Sequence, residues 1–100
     1  MAEAYHVVVS PHNYNSTTVG MAATLRVSAP IPNFLNTEYF VNFDARAQEV
    51  AVSPFRVENG YIAVPTAPGL GIELREDVLA RYAGHEHSPR TMPAPRDEGP

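Results

Sequence analysis

Three consecutive valines, Val7-Val8-Val9, run straight into Ser10-Pro11-His12. Side chains of a strand alternate between its two faces. An unbroken β-branched run therefore fits a strand covered on both sides, as in a parallel sheet. Pro11 has no N–H to donate, so the ladder stops there. The spacing predicts a strand over residues 6–10. A parallel strand reaches its neighbour through a crossover, and the next residues supply one. Residues 16–29 read as a helix, with Asn15 or Ser16 as its cap. Met21, Leu25 and Ala29 recur at four-residue intervals, and Val19, Ala23 and Val27 form a second row, which together make a broad apolar face. Pro30 and Pro32 stop the helix, and residues 33–38 read as a second short strand. Strand, helix and strand make one right-handed crossover unit. One such unit is not a domain. Both strands keep unpaired edges, and a single helix covers one face only.

The pattern then changes. Residues 39–54 carry weak signals and read as a loop with a helical turn around Ala45–Glu49. Phe55-Arg56-Val57 alternates, Glu58-Asn59-Gly60 is a turn, and Tyr61 to Val64 is a strand ended by Pro65. Asn-Gly between two such runs is a strong hairpin signal. Thr66 to Gly71 is a connection punctuated by proline and glycine, and residues 75–82 make a short helix with Glu76 and Asp77 in its first turn. Residues 2–5 resemble the end of a helix. From Ala83 onward, prolines among polar residues predict a disordered tail. The organisation is thus a partial α/β unit over 1–54, a returning segment over 55–82 and a tail over 83–100.

Composition excludes several classes. The net charge is −4, and the seven basic residues, all arginine, form no cluster, which argues against a nucleic-acid footprint. Without lysine the chain has no Schiff-base former, and without cysteine it has no disulfide or thiolate site. The first residues lack the features of a signal peptide, and no run approaches the ~18 apolar residues of a membrane span. Cytoplasm is the expected compartment. His85-Glu86-His87 lacks preorganised further ligands and reads as solvated, not as a metal site.

Two titratable residues close the predicted strands. His12 follows the first and Glu38 ends the second. In a (β/α)8 barrel the carboxyl ends of the strands carry the chemistry, so the pair would share one mouth. Histidine suits proton transfer near neutral pH, and a confined carboxyl group can donate a hydrogen bond as a neutral acid. On spacing alone, each is more often a loop or solvated residue, and Asn13 reads as plain loop.

Residues 2–13 (AEAYHVVVSPHN), the alanine-rich helix, 31–39 (IPNFLNTEY), 59–74 (NGYIAVPTAPGLGIEL) and 80–82 (ARY) resemble the carboxyl-terminal part of the mandelate racemase/muconate lactonizing enzyme group of the enolase superfamily, closest to the acid-sugar dehydratases. That resemblance implies an α/β fold: the last two strands of a (β/α)8 TIM-type barrel plus the hairpin and short helix that return to the capping domain. Val7–Ser10 would be the seventh strand and Asn33–Thr37 the eighth. His12 would be the catalytic base or acid, acting on the proton α to a carboxylate or on loss of β-hydroxide. Glu38 would hydrogen-bond the carboxylate of a sugar-acid or hydroxy-acid substrate.

The resemblance also implies what this chain lacks. The family's metal-binding carboxylates, lysine base and dyad aspartate lie on earlier strands. Mg²⁺ is expected in the complete enzyme but not on this chain alone. Three readings stand. The first two are an enzyme component completed by a separately encoded N-terminal portion carrying the capping domain and strands one to six, and an inactive truncated fragment. A small non-enzymatic binding module built on the 55–64 hairpin is the third.

Overall fold

The computed structural model describes residues 1–14, 16–82 and 84, with Phe43 described by its backbone alone. The expected cap Asn15, the tail from Ala83 (Gly84 apart) and His85-Glu86-His87 lie outside the described residues.

The chain begins with a 3₁₀ turn, Ala2–Tyr5, closed by His6 in the left-handed conformation (φ 56°). His6 thus belongs to this turn and not to the strand predicted over residues 6–10. The extended segment that follows pairs with the one after the helix in parallel, as expected, but through a single bridge, Val9 to Phe34. Val9 N–H donates to Asn33 O at 2.8 Å, and Leu35 N–H donates to Val9 O at 2.9 Å. The ladder cannot lengthen in either direction for identifiable reasons. On one side Val7 N–H is committed to Ala2 O of the opening turn. On the other, Pro11 has no N–H to give. Side chains partly replace the missing rungs: Asn33 Nδ2 donates to Val7 O at 2.7 Å, and Thr37 Oγ1 donates to Pro11 O at 3.2 Å.

Helix α1 covers Thr18–Ser28. Its N-cap is Thr17, whose side chain accepts from Gly20 N–H, so the cap falls one residue beyond the expected Ser16. Thr18, Met21, Ala22, Leu25 and Ser28 are buried, a stripe at helical spacing. Of the six residues expected on the apolar face, Met21 and Leu25 are buried and Ala23 is half-buried. Val19, Val27 and Ala29 remain exposed, because the partners of α1 within this chain lie on one side of it. Thr18 Oγ1, for instance, donates to Ala47 O in the next helix.

The weakly patterned stretch folds into a 3₁₀ turn, Val41–Phe43, running into helix α2, Asp44–Val50. This is more helix than the single turn expected. Asp44 accepts from Tyr39 OH and from Gln48 Nε2, which braces the start of α2. Strands β1 (Val57–Glu58) and β2 (Tyr61–Ile62) form the antiparallel hairpin, with Asn59 and Gly60 both at positive φ (52° and 81°). Two successive positive φ values define the tight turn that matches strand twist, and Asn-Gly adopts it at little cost. Helix α3, Glu76–Arg81, packs on α2. An antiparallel bridge from Ala51 to Leu74 joins them, with Val52 N–H on Glu73 O and Arg75 N–H on Val50 O.

The Pro-Gly connection is tied back to α1 by the Arg26 guanidinium, which donates to Ala67 O. The core is small: Met21, Ala22, Leu25, Ala51 and Val78. Val7 and Val8 are 53% and 58% exposed, so the faces that the valine run led one to expect covered are open within this chain. Among the described residues no helix is long and apolar enough to cross a membrane.

Candidate active site

The parallel pairing carries two distant side chains to one place. His12 follows the first extended segment and Glu38 follows the second. His12 Nδ1 lies 2.7 Å from Glu38 Oε2. The imidazole is 81% exposed and the carboxylate 39%, so the pair sits on an open surface of this chain and not in a confined mouth. Asn13 N–H donates to the same oxygen, Glu38 Oε2, at 2.9 Å. A main-chain N–H can only donate, so Glu38 acts here as an acceptor.

The local backbone explains the placement. Pro11 O receives both the Thr37 hydroxyl and the Glu38 N–H, the latter at 3.2 Å. That pins the end of the second segment beside the residue preceding His12. His12 also stacks on Tyr14 (ring centroids 6.2 Å apart, planes 13° from parallel), and Tyr14 meets Phe40 at 4.8 Å. An aromatic row therefore runs from the imidazole to the segment just beyond Glu38.

Sequence reasoning singled out His12 and Glu38, and the structure brings them together. It passed over Asn13, which is 5% exposed. The Asn13 side chain donates from Nδ2 to Met21 Sδ of α1 at 3.2 Å. Adjacency to His12 was its only signal. Beneath it lies a cavity of about 30 Å³, whose lining includes Asn13, Thr18, Met21, Tyr39 and Asp44. That is room for about one or two waters and not for a substrate. Tyr39 borders it with its hydroxyl pushed up to about 12, first by burial and then by its hydrogen bond to Asp44.

Chemically, the couple sets up a proton-transfer group. When Nδ1–H donates to the carboxylate, Nε2 holds the lone pair and is the atom able to take a proton.

Residues 1–78 match the family described as enolase C-terminal domain-like. The chain belongs to that family. The match gives it the α/β, TIM-barrel type of fold, of which the chain corresponds to a part. It is 32% identical over 82 residues to the D-xylonate dehydratase of Haloferax volcanii, covering 82% of this chain and 20% of that relative. It is 30% identical over 97 residues to a D-galactonate dehydratase family member from Streptomyces bingchenggensis, covering 96% of this chain and 23% of that one. The crystal structure of a mandelate racemase/muconate lactonizing enzyme from Jannaschia sp. CCS1 superposes with a TM-score of 0.75 at 30% identity, over 87% of this chain and 22% of that structure. The chain thus spans about a fifth to a quarter of the length of the enolase-family proteins it resembles.

Family membership raises the question of magnesium, a hard cation that wants several oxygen ligands in near-octahedral array. Among the described residues, no group of three or more His, Cys, Asp or Glu side chains could hold a metal ion. Glu38, the one carboxylate of the couple, already has Oε2 engaged by His12 and Asn13. The donors among the described residues do not fit a magnesium site.

Proposed function

We propose that the chain is the carboxyl-terminal part of an enolase-superfamily enzyme that acts on a sugar acid, as a dehydratase or a racemase, in the cytoplasm. The observation that carries this reading is the 2.7 Å approach of His12 to Glu38 at the ends of two parallel segments. His12 Nε2 takes the proton α to the substrate carboxylate. The C–H bond breaks, and its electron pair moves into the carboxylate to form an enediolate. In dehydration that pair then returns to expel the β-hydroxide, which leaves as water after protonation. In racemisation a proton is delivered to the opposite face of the α carbon. Glu38 hydrogen-bonds the substrate carboxylate, and the dyad aspartate, on an earlier strand outside this chain, holds the imidazole in the tautomer that leaves Nε2 free.

The rest of the site belongs to an N-terminal portion comprising the capping domain and strands one to six. That portion covers the open faces of Val7 and Val8, and its carboxylates hold the magnesium. The sugar-acid substrate class follows from the dehydratase names of the relatives.

The test is reconstitution. The chain, coexpressed with such a portion, should copurify with it and turn over a sugar acid. His12→Ala in that assembly should lower turnover by about 10²–10⁴-fold with the assembly intact, the usual contribution of a positioned proton-transfer group. Unchanged turnover removes the assigned role. Failure to associate with any such portion would leave an inactive fragment as the better reading.

A further inference from the structure

We propose that Tyr14 is a specificity-determining residue, a platform for the part of the substrate's carbon chain beyond the reacting carbons, which selects longer sugar acids over short ones. This role rests on the reading of the chain as part of a sugar-acid enzyme given above and narrows its substrate class. Two observations carry it. First, the Tyr14 ring lies beside the proton-transfer group with much of its surface open. Its plane is 13° from that of the His12 imidazole, and the ring centroids are 6.2 Å apart. Parallel rings in full overlap lie much closer, so these two are offset and part of the Tyr14 face extends past the imidazole. Tyr14 is 62% exposed. Secondly, the ring is held in place. Phe40 meets it at 4.8 Å with the planes tilted by 53°. The preceding residue, Asn13, is buried, and its Nδ2 donates to Met21 Sδ on α1.

A single exposed aromatic side chain is ordinary on a protein surface. Tyr14 is not single. It belongs to a row of rings that ends at the imidazole, and the row joins residues that follow both parallel segments. The face of an aromatic ring is the negative side of its quadrupole. The C–H bonds of a sugar acid are polarised positive by the hydroxyl oxygens on the same carbons, so they fit such a face. Contact between the two also removes apolar surface of both from water. A substrate with its α carbon at His12 Nε2 and its carboxylate at Glu38 still has its remaining carbons to place. Tyr14 offers them the surface next to the imidazole. A four-carbon acid ends one carbon past the β carbon and covers little of that surface. A six-carbon acid lays three carbons there. The ring is rigid and already positioned, so little conformational entropy is lost when the substrate binds.

The experiment uses the full chain assembled with its N-terminal portion. It compares kcat/KM for six-carbon aldonates and for four-carbon aldonates of matching configuration at the α and β carbons. The unmodified assembly should prefer the six-carbon acids. Tyr14→Ala should lower kcat/KM for them about 5–10-fold, the scale of an aromatic contact, and leave the four-carbon acids within about twofold. Tyr14→Leu, which keeps an apolar side chain and removes the ring, should behave as Tyr14→Ala does. Tyr14→Phe, which keeps the face, should behave as the unmodified chain does. Copurification with the N-terminal portion checks that each variant assembles. An unchanged preference in Tyr14→Ala and Tyr14→Leu overturns the role of Tyr14 and leaves the functional reading standing. So does an equal loss for both lengths of acid, which is the mark of a structural defect. Where the four-carbon acids are not turned over, Tyr14→Phe against Tyr14→Leu decides, and equal losses in the two overturn the ring face as the contact. Failure to assemble, or an assembly that turns over neither length of acid, overturns the functional reading and the role of Tyr14 with it.

Discussion

Replacing Gly71 with alanine should destabilise the chain more than the same replacement at Gly69, and the difference can be worked out from the structure. Both glycines have positive φ, 72° and 64°. Alanine in the left-handed region costs about 1–2 kcal/mol at either site. The surroundings differ. A Cβ at Gly69 meets nothing within 4 Å. A Cβ at Gly71 falls 2.5 Å from Pro65 Cβ and 2.7 Å from Arg26 Nη2. Proline cannot swing aside, and Arg26 is committed to Ala67 O with its Nε buried and unpartnered among the described residues. Overpacking of this kind adds about 1–3 kcal/mol. Gly71→Ala should therefore lose about 2–5 kcal/mol, and Gly69→Ala about 1–2. Urea unfolding followed by far-UV circular dichroism reads both. With a slope of about 1–1.5 kcal/mol per molar for a chain this small, the two midpoints should separate by about 0.7–3 M. If Gly71→Ala is already unfolded in water while Gly69→Ala is folded, the ordering still holds. Coincident midpoints would refute the reasoning, because they would mean that the Pro65–Arg26–Gly71 contact exerts no steric constraint.

Val78, 1% exposed, is the largest fully buried side chain among the described residues, and Val78→Ala should lower stability by about 1–3 kcal/mol in the same urea assay through the cavity it leaves between α3 and its neighbours. Tyr39 gives a prediction in pH. Its hydroxyl is raised from 10.0 to about 12 in the folded chain, so the stability it contributes is complete below pH 10 and is lost as pH rises through 12. Thermal midpoints measured across that window should fall with pH, and Tyr39→Phe should flatten the fall.

How much was legible in the sequence depended on how local the signal was. The hairpin was readable because Asn59-Gly60 specifies its own turn, and two positive φ values are what that dipeptide tolerates. Helix α1 was readable from its apolar spacing, although its cap was not, since Asn15, Ser16 and Thr17 all offer capping oxygens. The apolar face of α1 was legible only in part. Met21 and Leu25 are buried as expected, while Val19 and Val27 stay exposed within this chain. Periodicity shows which residues share a face and not whether a partner is present to cover it. Helix α2 was underestimated for a related reason. Asp44–Val50 has little periodic signal of its own, and contacts from outside brace it: Tyr39 OH at its start and Thr18 on Ala47 O. Asn13 was passed over because the groups it contacts, Met21 and Glu38, are 8 and 25 residues away.

The site itself shows how a local rule produces a distant contact. Pro11 was read as a ladder terminator, and the missing N–H does end the pairing at the Val9–Phe34 bridge. Its carbonyl remains, however, and must be satisfied. In a regular parallel ladder the N–H of residue 37 would continue the series that Leu35 N–H begins on Val9 O. Instead Thr37 offers its hydroxyl to Pro11 O, and the main-chain donor is Glu38, one residue later. An extra residue of this kind acts as a bulge. It breaks the alternation of faces and re-aims the next side chain. Glu38 is thereby directed at the residues just beyond Pro11, where Asn13 N–H and His12 Nδ1 meet its Oε2. The proline that closes the strand is thus also the reason that a carboxylate 26 residues after His12 arrives within hydrogen-bonding distance of it.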